Sequence, residues 1–422
     1  VRAASLFALL SVAASCGGER TSRVASPGSL AGASSDASDR SSSDEPAITT
    51  TTTAAAPTYP WAEVTRSPTP LGRASSPDPR EVALSELCGT ADAALARVAS
   101  EIATTRARGL GAPDADAVVA RLRAAGEPHV RPRLVTASGR APLEDSTVRA
   151  LFAASPTRGA ARCGIALAPT PHGGEVLVAV MVEALADLGP LPTRARTGEW
   201  LSFDARLHVR ASSAKLVVLG PHGLPRTVPT NLDASGATRA RFALDQPGAF
   251  TVQLVADLPE GPRPVLEARV FADVPPTPPG DEVPAPGEDA AAPRGAEPAD
   301  HLERMVAALR ATERLPQLLR DAKLDALARA HAERMRDTRT VAHDAGEGDL
   351  QIRFAAEGSM AAREIGENVA HAPTVARAHR VLHASPSHRM NLLRADYTHA
   401  GFGVATAEDG SVYVCEAFAA TR

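Results

Sequence analysis

Two imidazoles and a carboxylate in the last fifth of the chain, His343, Glu367 and His388, are of types that could share a proton or an ion. Glu367 stands in Gly366-Glu367-Asn368-Val369, where the glycine reads as a tight turn presenting the carboxylate. His388 stands in Ser385-Pro386-Ser387-His388-Arg389. Serine as N-cap and proline at the first helical position set His388 in the opening turn of a helix. Unpaired backbone N–H groups there attract an anion beside the imidazole. His343 lies upstream in Val341-Ala342-His343-Asp344. Such a set can converge on one small polar cavity.

Other histidines carry weaker signals. His331 falls on the apolar stripe Leu324, Leu327, Ala328, Met335 and reads as a satisfied core histidine. His379 and His383 share a helical face at the spacing used by zinc peptidases, but Arg380 stands where that motif needs its glutamate base. No Gly-x-Ser-x-Gly elbow or phosphate-cradling loop is present.

The elements that must position the cavity are legible from residue 300 onward. Leu302, Met305, Val306 and Leu309 form one helical stripe, and Leu324 to Met335 a second. Pro373 is expected to start a third helix and Ser385-Pro386 a fourth. Gly401-Phe402-Gly403-Val404-Ala405, an Asp409-Gly410 turn and Val412-Tyr413-Val414-Cys415 read as a closing hairpin. This order predicts a three-layer α-β-α sandwich over residues 300–422. Upstream, residues 195–274 alternate apolar and polar, as in Leu201, Phe203, Ala205, Leu207 against Ser202, Asp204, Arg206, His208. That predicts a small antiparallel β-sandwich. Residues 81–190 read as a small α+β region, helical first and then a hairpin around Cys163. Whether this region is a worn second copy of the terminal fold stays open. The chain is thus multidomain, with a proline-rich, stiff, extended spacer at 275–299 and a flexible Ser/Thr/Pro tether at 16–80.

A net charge of −4 gives no electrostatic case for nucleic acid. With aromatics at 3%, stacking platforms for bases or sugars are not expected. The start of the chain is more telling. Arg2, the apolar run Leu6 to Val12 and the small residues Ala13-Ala14-Ser15 read as a secretory signal over residues 1–15. Cys16 directly after them resembles the bacterial lipoprotein box, which implies acylation of that cysteine and a membrane partner through its lipid anchor. Outer-membrane or periplasmic placement is then expected. In such an oxidising compartment Cys88 and Cys163 could pair, while Cys415 reads as a small buried hydrophobe.

Four stations in order resemble the CAP superfamily of cysteine-rich secretory, antigen 5 and pathogenesis-related proteins, in its bacterial SCP-domain branch. They are Leu324 to Met335, His343, Gly366-Glu367-Asn368-Val369, and Ser385 to Leu393 with Tyr397 to Gly403. The resemblance implies a cleft of two histidines and acidic groups able to hold a divalent cation such as zinc. Carried over, His343, Glu367 and His388 line it, and Asn368, Ser385 and Asn391 belong to the structural motif, Asn368 fastening the turn. Two imidazoles and one carboxylate suit zinc, with water at the open position. The Trp-containing helix that gives eukaryotic members a second glutamate is absent; Leu382 and Ser385 lie there instead. The reading therefore favours non-catalytic binding of a small apolar or glycan-like ligand, with or without metal. A hydrolase of peptides or wall polymers using the same cavity is the alternative, and adhesion through the β-sandwich a third.

Overall fold

The structure is a computed structural model that describes residues 78–421, apart from 86, 88, 112, 114, 144, 154–160, 259–260, 279–283, 291–294 and 358–360. The expected signal segment, Cys16, nearly all of the tether and Cys88 lie outside the described residues.

The C-terminal unit begins with α5 (Pro298–Thr312), β14 (Leu319–Arg320), α6 (Ala322–Thr338) and α7 (Leu350–Ala356). It continues with β15 (Ala362–Ala372), α8 (Val375–Ala384), α9 (Pro386–Leu392), β16 (His399–Thr406) and β17 (Val412–Thr421). The strands form one sheet in the order β14-β16-β17-β15, with β14 parallel to β16 and the other pairs antiparallel. One face packs on α5, α8 and α9 through Leu302, Met305, Leu382, Leu392 and Phe418. The opposite face packs on α6 through Leu324, Ala328, Val369, Cys415 and Ala417. Helix α6 lies almost on the strand. A Cβ at Gly401 would sit 2.1 Å from the carbonyl carbon of Leu324, and one at Gly403 2.2 Å from that of Ala328.

Several local expectations differ in detail. Gly366 lies inside β15, not in a turn; it is glycine because a Cβ would meet the Tyr397 hydroxyl at 2.1 Å. Helix α8 starts at Val375 with Thr374 as its cap, since the Thr374 hydroxyl accepts from Arg377 N. Ser385 occupies the N-cap position of α9, but its hydroxyl makes no cap bond and instead lies 3.3 Å from that of Ser387. The described part of the proline-rich segment is docked on the C-terminal unit rather than held out as a spacer. Glu288 forms an ion pair with Arg380, Pro286 O meets His379 Nε2 at 3.1 Å, and Gly287 lies against the α5 backbone.

The N-terminal unit comprises α1 (Pro79–Ser85), β1 (Thr90–Ala91), α2 (Ala93–Ala107), α3 (Ala115–Ala124), β2 (Arg133–Arg140), α4 (Asp145–Ala153), β3 (Ala161–Pro169) and β4 (Gly174–Glu183). Its sheet order, β1-β3-β4-β2, is that of the C-terminal unit with the same strand senses. The correspondence holds residue by residue. Cys163 faces Met181 as Ala400 faces Phe418, and Thr90 pairs with Arg162 as Leu319 pairs with His399. Asp92 caps α2 as Asp321 caps α6, each accepting two backbone N–H groups. Gly164 approaches Leu95 and Ala96 as Gly401 approaches Leu324 and Asp325. The hairpin turns close with the same two backbone bonds, at Thr170–Gly174 and Ala407–Ser411. Helices cover both faces here too, so the unit is a second α-β-α sandwich rather than a loose α+β region.

Between them, β5 (Ala186–Leu188), β6 (Arg194–Ala195), β7 (Trp200–Leu207), β8 (Ala214–Leu219) and β9 (Arg226–Val228) are followed by β10 (Asn231–Leu232), β11 (Ala237–Ala243), β12 (Gly248–Leu258) and β13 (Gly261–Ala272). They form two sheets, β10-β11-β7-β5 and β6-β13-β12-β8-β9. Leu201, Phe203 and Phe242 of the first and Phe250, Val252 and Val270 of the second share one core. The apolar alternation seen in the sequence is therefore the inward row of two facing sheets.

Because the carbonyl carbon and oxygen of Ala328 are the atoms a new methyl at Gly403 would strike, the neighbour cannot yield as a side chain would. Gly403→Ala is expected to lower stability by about 3 kcal/mol. Chemical denaturation monitored by circular dichroism checks this; a midpoint unchanged from the native protein would show that α6 does not lie on the strand.

Candidate functional site

The site is built around the end strand β15 of the C-terminal sheet, whose successive side chains point to opposite faces. Glu367 points towards α6 and Asn368 towards α8 and α9. Helix α9 is held in place by Arg310, fully buried on α5. Its Nη1 donates to Leu392 O at 2.8 Å and Arg394 O at 3.1 Å, satisfying carbonyls that the helix end leaves free. Asn368 ties β15 to the same helix. Its Nδ2 donates to His388 O at 3.1 Å, and its Oδ1 accepts from Asn391 Nδ2 at 2.9 Å. Asn391 also donates to Glu367 O at 3.1 Å. Asn368 thus fastens a helix to a strand instead of closing a turn, because the Gly-Glu-Asn segment is extended.

Glu367 is only 5% exposed, yet its carboxyl is held below the usual range. Burial alone raises it; the hydrogen bond from His343 and the charges of His331 and Arg353 outweigh that. His343 Nδ1 donates to Oε1 at 2.8 Å, Arg353 Nη2 donates to Oε2 at 2.7 Å, and the buried Cys415 thiol approaches Oε2 at 3.4 Å. The thiol is pushed well up by burial and by Glu367 and is no nucleophile. An ionised Glu367 holds a proton on His343 Nδ1, which leaves Nε2 as the ring's other nitrogen. His388 is buried in α9. Desolvation and then the neighbouring His343 lower it to about 3, so the ring is neutral, and its Nδ1 has no hydrogen-bond partner.

His331 is fully buried and satisfied as expected, one ring nitrogen bonded to Glu347 and the other to Ala342 O at 2.9 Å. His379 and His383 do not join the site. His383 instead accepts from Arg389 Nη2 at 3.1 Å, and Arg389 Nη1 donates to Gly220 O of the β-sandwich at 2.8 Å. Ser385 contributes position alone. Cys163 is disulfide-bonded to a partner outside the described residues, and Cys415 is free.

Sequence reasoning missed Arg353, Glu347 and Glu416. The two carried no pattern of their own, being a basic residue on a short helix and an acid in a loop. Glu416 was readable, because a lone carboxylate in the apolar run Val412 to Ala420 is an anomaly. It is fully buried, its Oε2 accepts from Asn368 Nδ2 at 2.9 Å, and its Oε1 has no partner. Burial raises its carboxyl to about 7, with the Asn368 bond partly opposing.

As for metal, the glutamate has both oxygens engaged by protein donors, and among the described residues no group of three or more His, Cys, Asp or Glu is arranged to hold an ion. The atoms available to a cation are imidazole nitrogens, those of His343 Nε2 and His388, with Glu367 behind His343 as an orienting carboxylate.

The N-terminal unit is an internal control for these residues. By the matched strand registers and helix caps, the positions of His331, Glu367, Asn368 and Glu416 are occupied there by Ile102, Leu134, Val135 and Ala179. All four are buried in apolar clusters. The fold itself does not require the polar set.

Residues 303–417 match the family described as the cysteine-rich secretory protein family, CAP. No curated protein matches the chain. Among solved structures it is similar to an outer surface protein of Borrelia burgdorferi, at 21% identity over 29% of this chain and 92% of that one, with a TM-score of 0.28. It is also similar to an extracellular protein containing an SCP domain from Bacillus anthracis, at 16% identity over 54% and 86%, with a TM-score of 0.27. A third is a cysteine-rich secretory protein of Staphylococcus aureus, at 12% identity over 56% and 85%, with a TM-score of 0.25.

Glu416 gives a pH signature. Its ordinary value of 4.5 in the unfolded chain rises to about 7 on folding, so the native state holds a proton the unfolded state has lost. Stability therefore falls as pH rises from 4.5 to 7 and is level above. His388, lowered on folding from 6.5 to about 3, contributes the opposite slope, losing stability as pH falls through that window. Glu416→Gln removes the first slope, and the variant is expected to exceed the native protein by on the order of 3 kcal/mol at pH 8 and to match it near pH 4. Thermal melts across pH decide; a difference that does not vary with pH would refute the assignment.

Proposed function

With a CAP domain at residues 303–417 as premise, we propose that the chain is an extracytoplasmic protein whose C-terminal cavity binds rather than cleaves, with a divalent cation on His343 and His388 as its first occupant. The observation that carries this reading is the comparison between the two sandwiches. Burying ionisable groups where the same fold accepts Ile102 and Leu134 is unfavourable unless they serve a purpose beyond folding. What they produce is a neutral imidazole with an unpartnered Nδ1 at His388 and a second imidazole whose tautomer is fixed by Glu367. Neutral, oriented imidazoles backed by a carboxylate are the preferred ligands of zinc. When bound, such an ion would offer a Lewis-acid contact to an anionic or carbonyl-bearing ligand.

The residues argue against bond cleavage. Glu367 is ionised but tied at both oxygens by His343 and Arg353, so it orients an imidazole rather than taking a proton from substrate. Glu416 lies behind Asn368 and is fully enclosed. Cys415 is buried and protonated.

An extracytoplasmic setting is supported by the disulfide at Cys163, since such bonds persist in oxidising compartments. Anchoring through an acylated Cys16 is part of the proposal and rests on the apolar run and small residues before it. Expression in a bacterial host with labelled palmitate is expected to label the chain but not Cys16→Ser; equal label in both would remove the anchor.

For the cavity, calorimetric titration with zinc is expected to give about one equivalent bound to the native chain and none to His343→Ala/His388→Ala. Glu367→Gln, which leaves both imidazoles but loosens one, is expected to weaken binding about 10- to 100-fold. Equal zinc in the native and doubly substituted proteins would overturn the cation reading.

A further inference from the structure

We propose that the outward face of the sheet β10-β11-β7-β5 binds an anionic, carboxylate-bearing polysaccharide, with Trp200 as the platform for a sugar ring and Arg239 and Arg241 as the carboxylate-recognising pair. The inference is independent of the C-terminal cavity.

The face is laid out by strand register. Trp200, Ser202, Asp204 and Arg206 alternate outward along β7, while Leu201, Phe203, Ala205 and Leu207 are buried. On the neighbouring strand Arg241 is opposite Ser202, and Arg239 is opposite Asp204. Asn231 of β10 lies beside Arg239. Ser202, Asp204, Thr230, Asn231, Arg239 and Arg241 line an open depression of about 520 Å³, and Trp200 stands next to it on β7.

Trp200 is the informative residue. It is 63% exposed, in a chain that has only two tryptophans and buries its large aromatic side chains in the sandwich core. An indole left in water on a rigid strand is what an apolar contact surface looks like before it is covered. The Arg241 guanidinium is 5.8 Å from the ring centroid, so the indole is held beside the depression by a cation–π contact. Arg241 has no acceptor among the described residues beyond that contact, and Arg239, whose side chain is 81% exposed, has only the outer contact to Asp204 at 3.3 Å. Arg206 adds a third positive charge along the row, against the carboxylates of Asp204 and of Asp187, the latter already paired with Arg162 and His208.

The chemistry that fits is specific. A pyranose ring has a flat C–H face that packs on an indole and a rim of hydroxyls that pair with Asp204, Asn231 and Ser202. A uronate adds a carboxylate that the planar, five-donor guanidinium recognises in a fork. An excess of arginine over acid on the same face selects the anionic polymer over a neutral one, and an open depression admits a chain passing through it. Trp and Arg are also the residues that dominate binding energy at such contacts.

The test uses the full chain in native gels containing polygalacturonate, dextran or polyglutamate, with Trp200→Ala and Arg241→Gln alongside. Expected is retardation of the native protein by polygalacturonate alone, with binding about tenfold weaker in each variant. In a Trp61→Phe background, the emission of Trp200 is expected to shift on adding polygalacturonate. Both side chains are exposed, so unchanged melting temperatures confirm that the variants are folded; were either to melt early, Trp200→Phe replaces it and is expected to retain most of the binding. Absence of retardation, equal retardation by polyglutamate, or undiminished retardation of Trp200→Ala would each overturn the proposal.

Discussion

Glu367 is an ionised carboxylate almost wholly removed from water, and the C-terminal unit around it is arranged to make that tolerable. Removing such a charge from solvent costs several kcal/mol, which only close, well-directed partners can offset. Those partners come from separate parts of the chain: His343 from the loop after α6, Arg353 from α7 and Cys415 from β17. Once they are engaged, the tautomer of His343 is fixed and the glutamate has no free oxygen. The orientation of the imidazole and the engagement of both carboxylate oxygens are therefore one event. The same strand carries Asn368 on its other face, so the position of α9, and with it His388, is tied to the segment that places Glu367.

The two sandwiches in the chain separate what the fold needs from what the cavity needs. Both have an aspartate cap, a glycine that lets a helix lie on a strand, and a glycine turn closing the hairpin. The glycines are backbone requirements that no other residue meets without strain or clash, and the aspartates satisfy backbone N–H groups that each helix start leaves free. The buried polar set recurs nowhere in the N-terminal unit, where Ile102, Leu134, Val135 and Ala179 stand instead. A core of that kind is self-consistent and needs no partners. Buried charge is the exception in need of a reason; at these four positions it belongs to one copy, while the N-terminal unit buries its own pair, Glu127 and His129, elsewhere.

The stations of the terminal domain were legible because they combine chemical type with order along the chain. His331, on an apolar stripe, was correctly read as a satisfied core residue, since helical periodicity places it facing the sheet. Other readings failed where local rules met tertiary contacts. Gly366 suggested a turn, but the hydroxyl of Tyr397 is what demands a glycine there. Ser385 looked like a cap, yet its hydroxyl is turned to Ser387. The prolines before residue 298 suggested a free spacer, while Glu288 and Pro286 attach it to α8. The sparse aromatics argued against stacking platforms, but such an average leaves open the exposure of any one tryptophan, and Trp200 is exposed.

Residue order alone determined the helical stripes, the inward and outward rows of the β-sandwich, and the three side chains that could meet. These follow from the periods of helix and strand, which a sequence carries explicitly. It was the tertiary structure that decided that Glu367 has both oxygens engaged by His343 and Arg353, and that the N-terminal unit repeats the fold without these polar residues. Charge balance in a buried site depends on distances of about 3 Å between residues remote in sequence, and no local pattern encodes those distances.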